Sequence, residues 1–580
     1  MPKHGLSLLL LFILFTSCQS QEQQEQSCTI TIHAAKEINR ITLGEEEINT
    51  KEATPFILEQ ELAFGTILRL TVDEEDYEVF LEPGTAIELN ILPDSIALQG
   101  DLSQENNYLL SERKINADVE RYLSDNWYDI HRQPEADFFQ VIDSIKGLYL
   151  SSMAQHSETI SPAFVKVNSA SVAYSFDRLL LRYPEWHLRF TGNSVPPNPT
   201  LMKKMEAWID RPEFLGLDTY QKCITTWFGL KIAEKMETLP DSSTYFGRIK
   251  LQTQLDFIAE QFKSTALKDY WSFKFIQEHL DQYTWVNTSK YLQDFISNCQ
   301  TDRICQAATA LEAKLIEERQ GREIQVYKTE KGLQLEAHIF KPKNFDPAIS
   351  YPALAAFHGG GWQSGHAEWT FGSAEHAAEN GMVGIAIEYR LSNRSDITPV
   401  EAMEDTRDAI RWIRKHATSL NIDKNRIVGK GLSAGGHLIS SISVVQEEID
   451  GEDSSVPNAL VLVSPAIDTQ DGYFKSLLHE GTNASRLSAL ENLAGGLDIP
   501  PTLILQGRTD RVTPTSFAEQ FQQKMESLNY DCELMIYENC GHIFTPSHLD
   551  DTGMPMPDPE ISQMALEKQI AFLRERDFID

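Results

Sequence analysis

The C-terminal half of the chain reads as an α/β fold, a mostly parallel sheet with helices on both faces, and three observations carry that reading. Five near-continuous apolar runs, ALAAFH, MVGIAIEY, RIVGKG, ALVLVS and TLILQG, lie between Ala353 and Gly507. Helical stretches such as PVEAMEDTRDAIRWIRKHA separate several of them. Strands buried on both faces lose the alternation of half-exposed strands, and a helix between consecutive strands makes them parallel. The third observation is the glycine cluster VGKGLSAGGHL, Val428–Leu438, at the end of one apolar run. Glycine is costly inside regular structure, so its crowding there marks unusual backbone geometry.

At 580 residues the chain is too long for one ordinary core. Its 41% hydrophobic and 23% charged residues are those of folded protein. A net charge of −34 argues against a nucleic-acid partner, since phosphates demand basic patches. The α/β domain is expected over residues 323–580, with other segments before it.

Residues 1–18 read as a signal peptide. Lys3 and His4 precede the apolar run LSLLLLFILF, which is shorter than the roughly 20 residues of a membrane-spanning helix. The following Thr16-Ser17-Cys18 resembles a bacterial lipobox, which implies lipidation of Cys18 and an anchored protein facing periplasm or cell exterior. Cleavage without lipidation, giving a secreted protein, is the alternative. The polar residues 19–27 read as a flexible tether.

Residues 28–103 alternate β-rich runs with turns, among them TITIHAA, PFILEQEL, TILRLTV, YEVFLEP and AIELNIL, and predict a small all-β domain. EPGTAIELNI and LQGDLSQENNYLL resemble the β-rich N-terminal domain of certain bacterial thioredoxin-like lipoproteins. No CxxC follows, so no redox role is carried over. Residues 104–322 predict helices. Leu251, Leu255, Ile258 and Phe262 line one helix face, and Val195-Pro-Pro-Asn-Pro199 interrupts the region. The aromatics Trp271, Phe273, Phe275 and Trp285 are expected in a core rather than on a sugar-stacking surface. Cys299 with Cys305, and Cys532 with Cys540, are close enough in sequence to pair, and unpaired buried thiols are an equal reading.

Gly431-Leu432-Ser433-Ala434-Gly435 fits G-x-S-x-G between an apolar run and a helix, the context of a nucleophile elbow. A serine hydroxyl needs a base, and the base should follow an acid in chain order. TLILQG leads into Arg508-Thr509-Asp510, a carboxylate just past a strand end, and Asn539-Cys540-Gly541-His542 places a histidine in a later loop. Asp468, Asp498 and Glu538 are rival acids, none so cleanly placed. His358, His366, His416 and His437 precede the acid. An oxyanion also needs preorganised donors. His358-Gly359-Gly360-Gly361-Trp362 follows the run ALAAF, which assigns the hole to the amides of Gly360 and Gly361 together with that of Ala434. A phosphate loop is disfavoured because no GK[ST] follows.

HGGGW, GKGLSAGGHL, GRTDRVTP and CGHIF together resemble the α/β-hydrolase superfamily, in the HGGG esterase branch that includes hormone-sensitive-lipase-like and acetyl-xylan or feruloyl esterase-like members. The resemblance implies a Ser433–His542–Asp510 esterase, without cofactor or metal, acting on short acyl or aryl esters of small molecules or polysaccharide. It gives Asp405 a structural role. Lys430 and the tail PSHLDDTGMPMPDPE depart from the pattern. Two alternatives stay open: a serine peptidase of the prolyl-oligopeptidase kind, which would bring a large β domain, and a binding or scaffolding lipoprotein. Oligomeric state is not legible.

Overall fold

A computed structural model describes residues 26–579, apart from 35–37, 39, 45, 49–54, 74, 93–95, 239–243, 394–395, 446–452 and 471. The expected signal peptide, with Cys18, and most of the expected tether lie outside the described residues. The last two tether positions do not: Gln26 and Ser27 already pair with Leu62 and Glu61 in the first strand. No helix among the described residues is long and apolar enough to cross a membrane. The chain divides into two compact units. One holds residues up to 241 with 250–276 and 291–313; the other holds 242–249, 277–290 and 314–580.

In the first unit eight strands make two four-stranded sheets. They are β1 (Gln26–Ala34), β2 (Ile41–Leu43), β3 (Glu46–Ile48), β4 (Phe56–Leu62), β5 (Thr66–Val72), β6 (Glu75–Leu81), β7 (Ala86–Ile91) and β8 (Ile96–Gly100). The sheet orders are β4-β1-β7-β8 and β3-β2-β5-β6. Alternation explains the sandwich: Ile87, Leu89 and Ile91 of β7 share one buried cluster with Leu68, Leu70 and Val72 of β5. The short β2, β3 and β8 carried too few periodic residues to be named from the sequence.

The helices that follow belong to the same unit as the strands: α1 (Ser103–Arg132), α2 (Glu135–Gln155), α3 (Pro162–Thr191), α4 (Pro199–Trp208) and α5 (Asp218–Glu237). Asn106 clips α1 to β6, accepting from the amide of Phe80 at 2.7 Å and donating to its carbonyl at 3.0 Å. The proline-rich break falls between α3 and α4, where Asn198 caps the amides of Thr200 and Leu201. Three further helices follow: α6 (Phe246–Gln261), α7 (Thr265–Asn298) and α8 (Asp302–Arg319). Leu251, Ile258 and Phe262 are buried, as are Trp271, Phe273 and Phe275, so these aromatics fill a core.

Cys299 and Cys305 form a disulfide between the end of α7 and α8, whereas Cys532 and Cys540 are free. The latter two sit in separate buried clusters, which leaves them unable to pair. Closing so short a loop contributes about 2 kcal/mol. Cys299→Ser with Cys305→Ser will therefore lower the melting temperature of the first unit by several degrees, read by calorimetry.

The second unit is an α/β fold built on one mostly parallel sheet. Its strands are β9 (Glu323–Glu330), β10 (Leu333–Phe340), β11 (Tyr351–Phe357), β12 (Val383–Ile387), β13 (Ile422–Leu432), β14 (Ala459–Val463), β15 (Thr502–Gly507) and β16 (Cys532–Tyr537). They form one sheet in the order β16-β15-β14-β13-β11-β12-β10-β9. The six strands from β11 onward run parallel, and the edge pairs β9–β10 and β10–β12 are antiparallel. Successive residues point to opposite cores: Ala353, Ala355 and Phe357 to one, Leu354 and Ala356 to the other. Burial on both faces is why these strands read as unbroken apolar runs. Helices α9 (Phe371–Glu379), α10 (Pro399–Lys415), α11 (Ala417–Leu420), α12 (Ala434–Val444), α13 (Gly472–Ser476), α14 (Ala489–Asn492), α15 (Thr515–Ser527) and α16 (Pro559–Arg574) complete the unit. Thr398 and Glu401 form a capping box at the start of α10. Asp405 on α10 is fully buried, holding the amide and guanidinium of Arg390 and, at 2.7 Å, Lys328 Nζ. That is the structural role expected of it.

Candidate active site

Strands β11, β13, β14, β15 and β16 are parallel, so their C-terminal ends lie along one rim of the sheet, and each feeds a loop of the site there. Ser433 follows β13 and opens α12 with φ 51 and ψ −114, a strained backbone held by its surroundings. Its amide donates to Val463 O at 3.0 Å. The glycines of G-x-S-x-G are required by close approach. A Cβ on Gly431 would lie 2.3 Å from Gly435 O, and one on Gly435 2.2 Å from Phe357 O. Two strands and a helix meet here too tightly for any side chain.

Asp510 and His542 reach the same point from β15 and β16. Ser433 Oγ donates to His542 Nε2 at 3.0 Å, and His542 Nδ1 donates to Asp510 Oδ2 at 3.0 Å. This tautomer is assigned from the partners. All three side chains are buried. The other oxygen of Asp510 accepts from the amides of Val512 and Thr513, at 3.0 and 2.7 Å, so the carboxylate is fixed independently of the histidine. The structure thus brings together the three residues that chain order singled out. The rival Glu538 pairs with Arg508, and Asp468 accepts from the Gln470 amide.

The amides of Gly360, Gly361 and Ala434 have no acceptor among the described residues. Gly360 has φ 108 and Gly361 φ 59, conformations that glycine adopts without penalty. Next along the loop, Trp362 Nε1 donates to His437 Nδ1 at 3.1 Å, while His437 Nε2 donates to Leu487 O at 2.9 Å. Burial lowers His437 to about 4, so it stays neutral and can accept from the indole. His437, excluded as a base by chain order, ties the glycine loop to α12. Tyr473 Oη reaches Gly361 O at 3.1 Å from the other side.

Sequence reasoning missed three supports. Thr513 Oγ1 lies 2.9 Å from Asp510 Oδ2 and 3.2 Å from His542 Nδ1. Ser464, at φ 44 beyond β14, accepts from the Ile543 amide through its hydroxyl and from Thr513 through its carbonyl. Asp551 accepts from the amides of His542 and Arg511, at 3.0 and 3.1 Å, and from Arg511 Nε at 2.6 Å. Burial pushes its carboxyl up, but those amides and the guanidinium outweigh it and hold it below the usual carboxylate range. A Cβ on Gly541 would lie 2.2 Å from Asp551 Oδ2, which is why glycine precedes the histidine. The one available signal was the anomalous tail PSHLDDTGMPMPDPE. Asp551→Ala leaves two amides unpaired beside the imidazole. It will lower kcat by on the order of 10- to 100-fold with KM little changed, measured by steady-state kinetics.

Among the described residues one group has the donor set of a cation site: His366, Glu368 and Glu388, whose ligand atoms lie within 4.8 Å of one another. Burial, with Glu368 nearby, pushes the Glu388 carboxyl well above its usual range.

Residues 338–468 match the family described as BD-FAE. The chain is 31% identical over 149 residues to an ethyl acetate hydrolase of Pseudomonas putida, covering 24% of this chain and 43% of that one. It is 25% identical to the probable carboxylic ester hydrolase LipM of Mycobacterium tuberculosis, over 33% and 48%. It is 26% identical to an acetylxylan esterase of Xylanibacter ruminicola, over 33% and 41%. The chain therefore spans less than half the length of these curated relatives. Among solved structures, the apo form of Thermogutta terrifontis esterase 2 shares 32% identity with a TM-score of 0.40, covering 45% of this chain and 97% of that one.

Proposed function

We propose that the α/β-hydrolase unit hydrolyses carboxylic esters of short acyl or aryl groups through a covalent acyl-enzyme. The observation that carries this is the unbroken relay of two 3.0 Å hydrogen bonds from Asp510 through His542 to Ser433 Oγ, beside three unengaged amides. Ser433 Oγ attacks the ester carbonyl while His542 Nε2 takes its proton. The carbonyl oxygen becomes an alkoxide, held by the amides of Gly360, Gly361 and Ala434, each such donor being worth about 3 kcal/mol in the transition state. His542 then protonates the departing alcohol. Water, deprotonated by the same imidazole, releases the acid. Asp510 keeps Nδ1 protonated and stabilises the imidazolium.

Acetyl or feruloyl groups on polysaccharide are the proposed substrates. The acetylxylan esterase among the relatives supports the first. Between Ser464 and Pro501 the described helices are α13, α14 and one short 3-10 turn, with no long apolar helix among them, which disfavours triglycerides as substrates. The proposed location is a membrane surface reached through a lipid on Cys18, tested by palmitate labelling of wild type against Cys18→Ala.

The catalytic reading is tested by turnover of chromogenic acetyl, butyryl and long-chain esters, with a fluorophosphonate adduct mapped by mass spectrometry. Acetyl or butyryl turnover with the adduct on Ser433 is expected. An adduct elsewhere, or turnover of proline-containing peptides but no ester, overturns it.

A further inference from the structure

The first unit contains a cavity of about 390 Å3 that the ester chemistry does not use. Its size is within the range of small-molecule sites. It is walled by β5, β6 and one face each of α1 and α3, and the start of α5 closes it. The positions from α1, Glu112, Asn116, Val119, Glu120 and Leu123, recur at helical spacing, so a single stripe of that helix faces inward.

The lining is polar in a particular way. Glu78 and Glu120, and the amide of Asn116, have no hydrogen-bonding partner among the described residues. Arg178 also lines the cavity and makes no hydrogen bond or ion pair among the described residues. Glu112 is different: Tyr108 Oη donates to it at 2.6 Å and Asn168 Nδ2 at 3.3 Å, so it is a fixed wall. Glu78 reaches solvent through the cavity, yet crowding by protein raises its carboxyl above the usual range, with Glu112 adding to the rise. Lys222 and Arg69 are neutralised by Asp218 and Asp76. Val172 and Phe176 supply an apolar floor.

This donor set discriminates. Three carboxylates repel an anionic ligand, and the Arg178 guanidinium opposes an ammonium ion. A hydroxyl group suits both, because it donates to a carboxylate and accepts from a guanidinium or amide. We propose that this cavity is a binding site for a neutral polyhydroxylated ligand, a mono- or disaccharide unit, separate from the ester-cleaving site. It stands whether or not the esterase reading does.

The full chain is titrated calorimetrically with xylose, galactose, glucose, xylobiose and cellobiose, and with putrescine as a cationic probe. At least one saccharide is expected to bind saturably. Glu78→Gln with Glu120→Gln should weaken it about tenfold. Ser175→Trp, which fills the cavity from α3, should abolish it, with ester turnover unchanged in both variants. Glu78 and Glu120 are exposed, so the double variant decides should the tryptophan variant fail to fold. No binding by any of the five saccharides, binding indifferent to the substitutions, or binding of putrescine alone overturns the proposal.

Discussion

Ser433→Ala will cut ester turnover by on the order of 10^4- to 10^6-fold, and His542→Ala will do nearly the same, because the two act as one unit. Combining them should add little, and that non-additivity is a sharper signature than either loss alone. The elbow adds a stability readout. Ser433 sits at φ 51 and ψ −114, a region open to glycine but costly for any residue with a Cβ. Alanine keeps that strain and glycine releases it, so Ser433→Gly should be more stable than Ser433→Ala by about 1 kcal/mol after glycine's entropic cost. Retention of more than about 1% of wild-type kcat/KM by Ser433→Ala would show that another group carries the reaction.

Lys430→Met will stabilise the protein at neutral pH. Lys430 lies on β13 three residues before Ser433, almost wholly buried, and among the described residues its one side-chain hydrogen bond goes to Gln569 Oε1 at 2.8 Å, with no ion pair to a carboxylate. Burial alone lowers it to about 8 from 10.5. The unfolded chain therefore binds the proton more tightly than the folded one. Below about pH 8 both states are charged, and folding carries the full cost of burying the ammonium, about 3 kcal/mol by the size of the shift. That cost is relieved as pH rises from about 8 to 10.5, where the folded lysine is neutral and the unfolded one still charged. Wild-type stability should rise across that window relative to Lys430→Met. At pH 7 the variant gains less than the full amount, about 1–2 kcal/mol, because Gln569 loses its partner. Lys430→Met with Gln569→Leu recovers the remainder. A pH-independent difference between wild type and variant in urea unfolding would refute the account.

Glycine spacing and chain order were enough to name Ser433, Asp510 and His542, because the nucleophile elbow and the strand-end loops are local structures written in consecutive residues. The same holds for the apolar runs, whose lack of alternation reports burial on both faces. Other features had no local record. Asp551 is nine residues from His542 in a tail without periodic pattern, and its role follows from where the Gly541 backbone lets a carboxylate approach. His437 looked like a spare histidine. Its use becomes visible only when Trp362, 75 residues earlier, lands against it.

What the sequence by itself determined is the class of fold in the C-terminal half and the identity of three chemical groups, since both depend on residue type and order over short spans. Tertiary structure alone decided which cysteines pair, that the eight N-terminal strands and helices α1 to α5 share one unit, and which residues hold the imidazole in place. These depend on which distant segments pack together, and the burial energy that brings them together is non-directional. It selects apolar surface without recording, in any short stretch, which polar groups will meet at its edge.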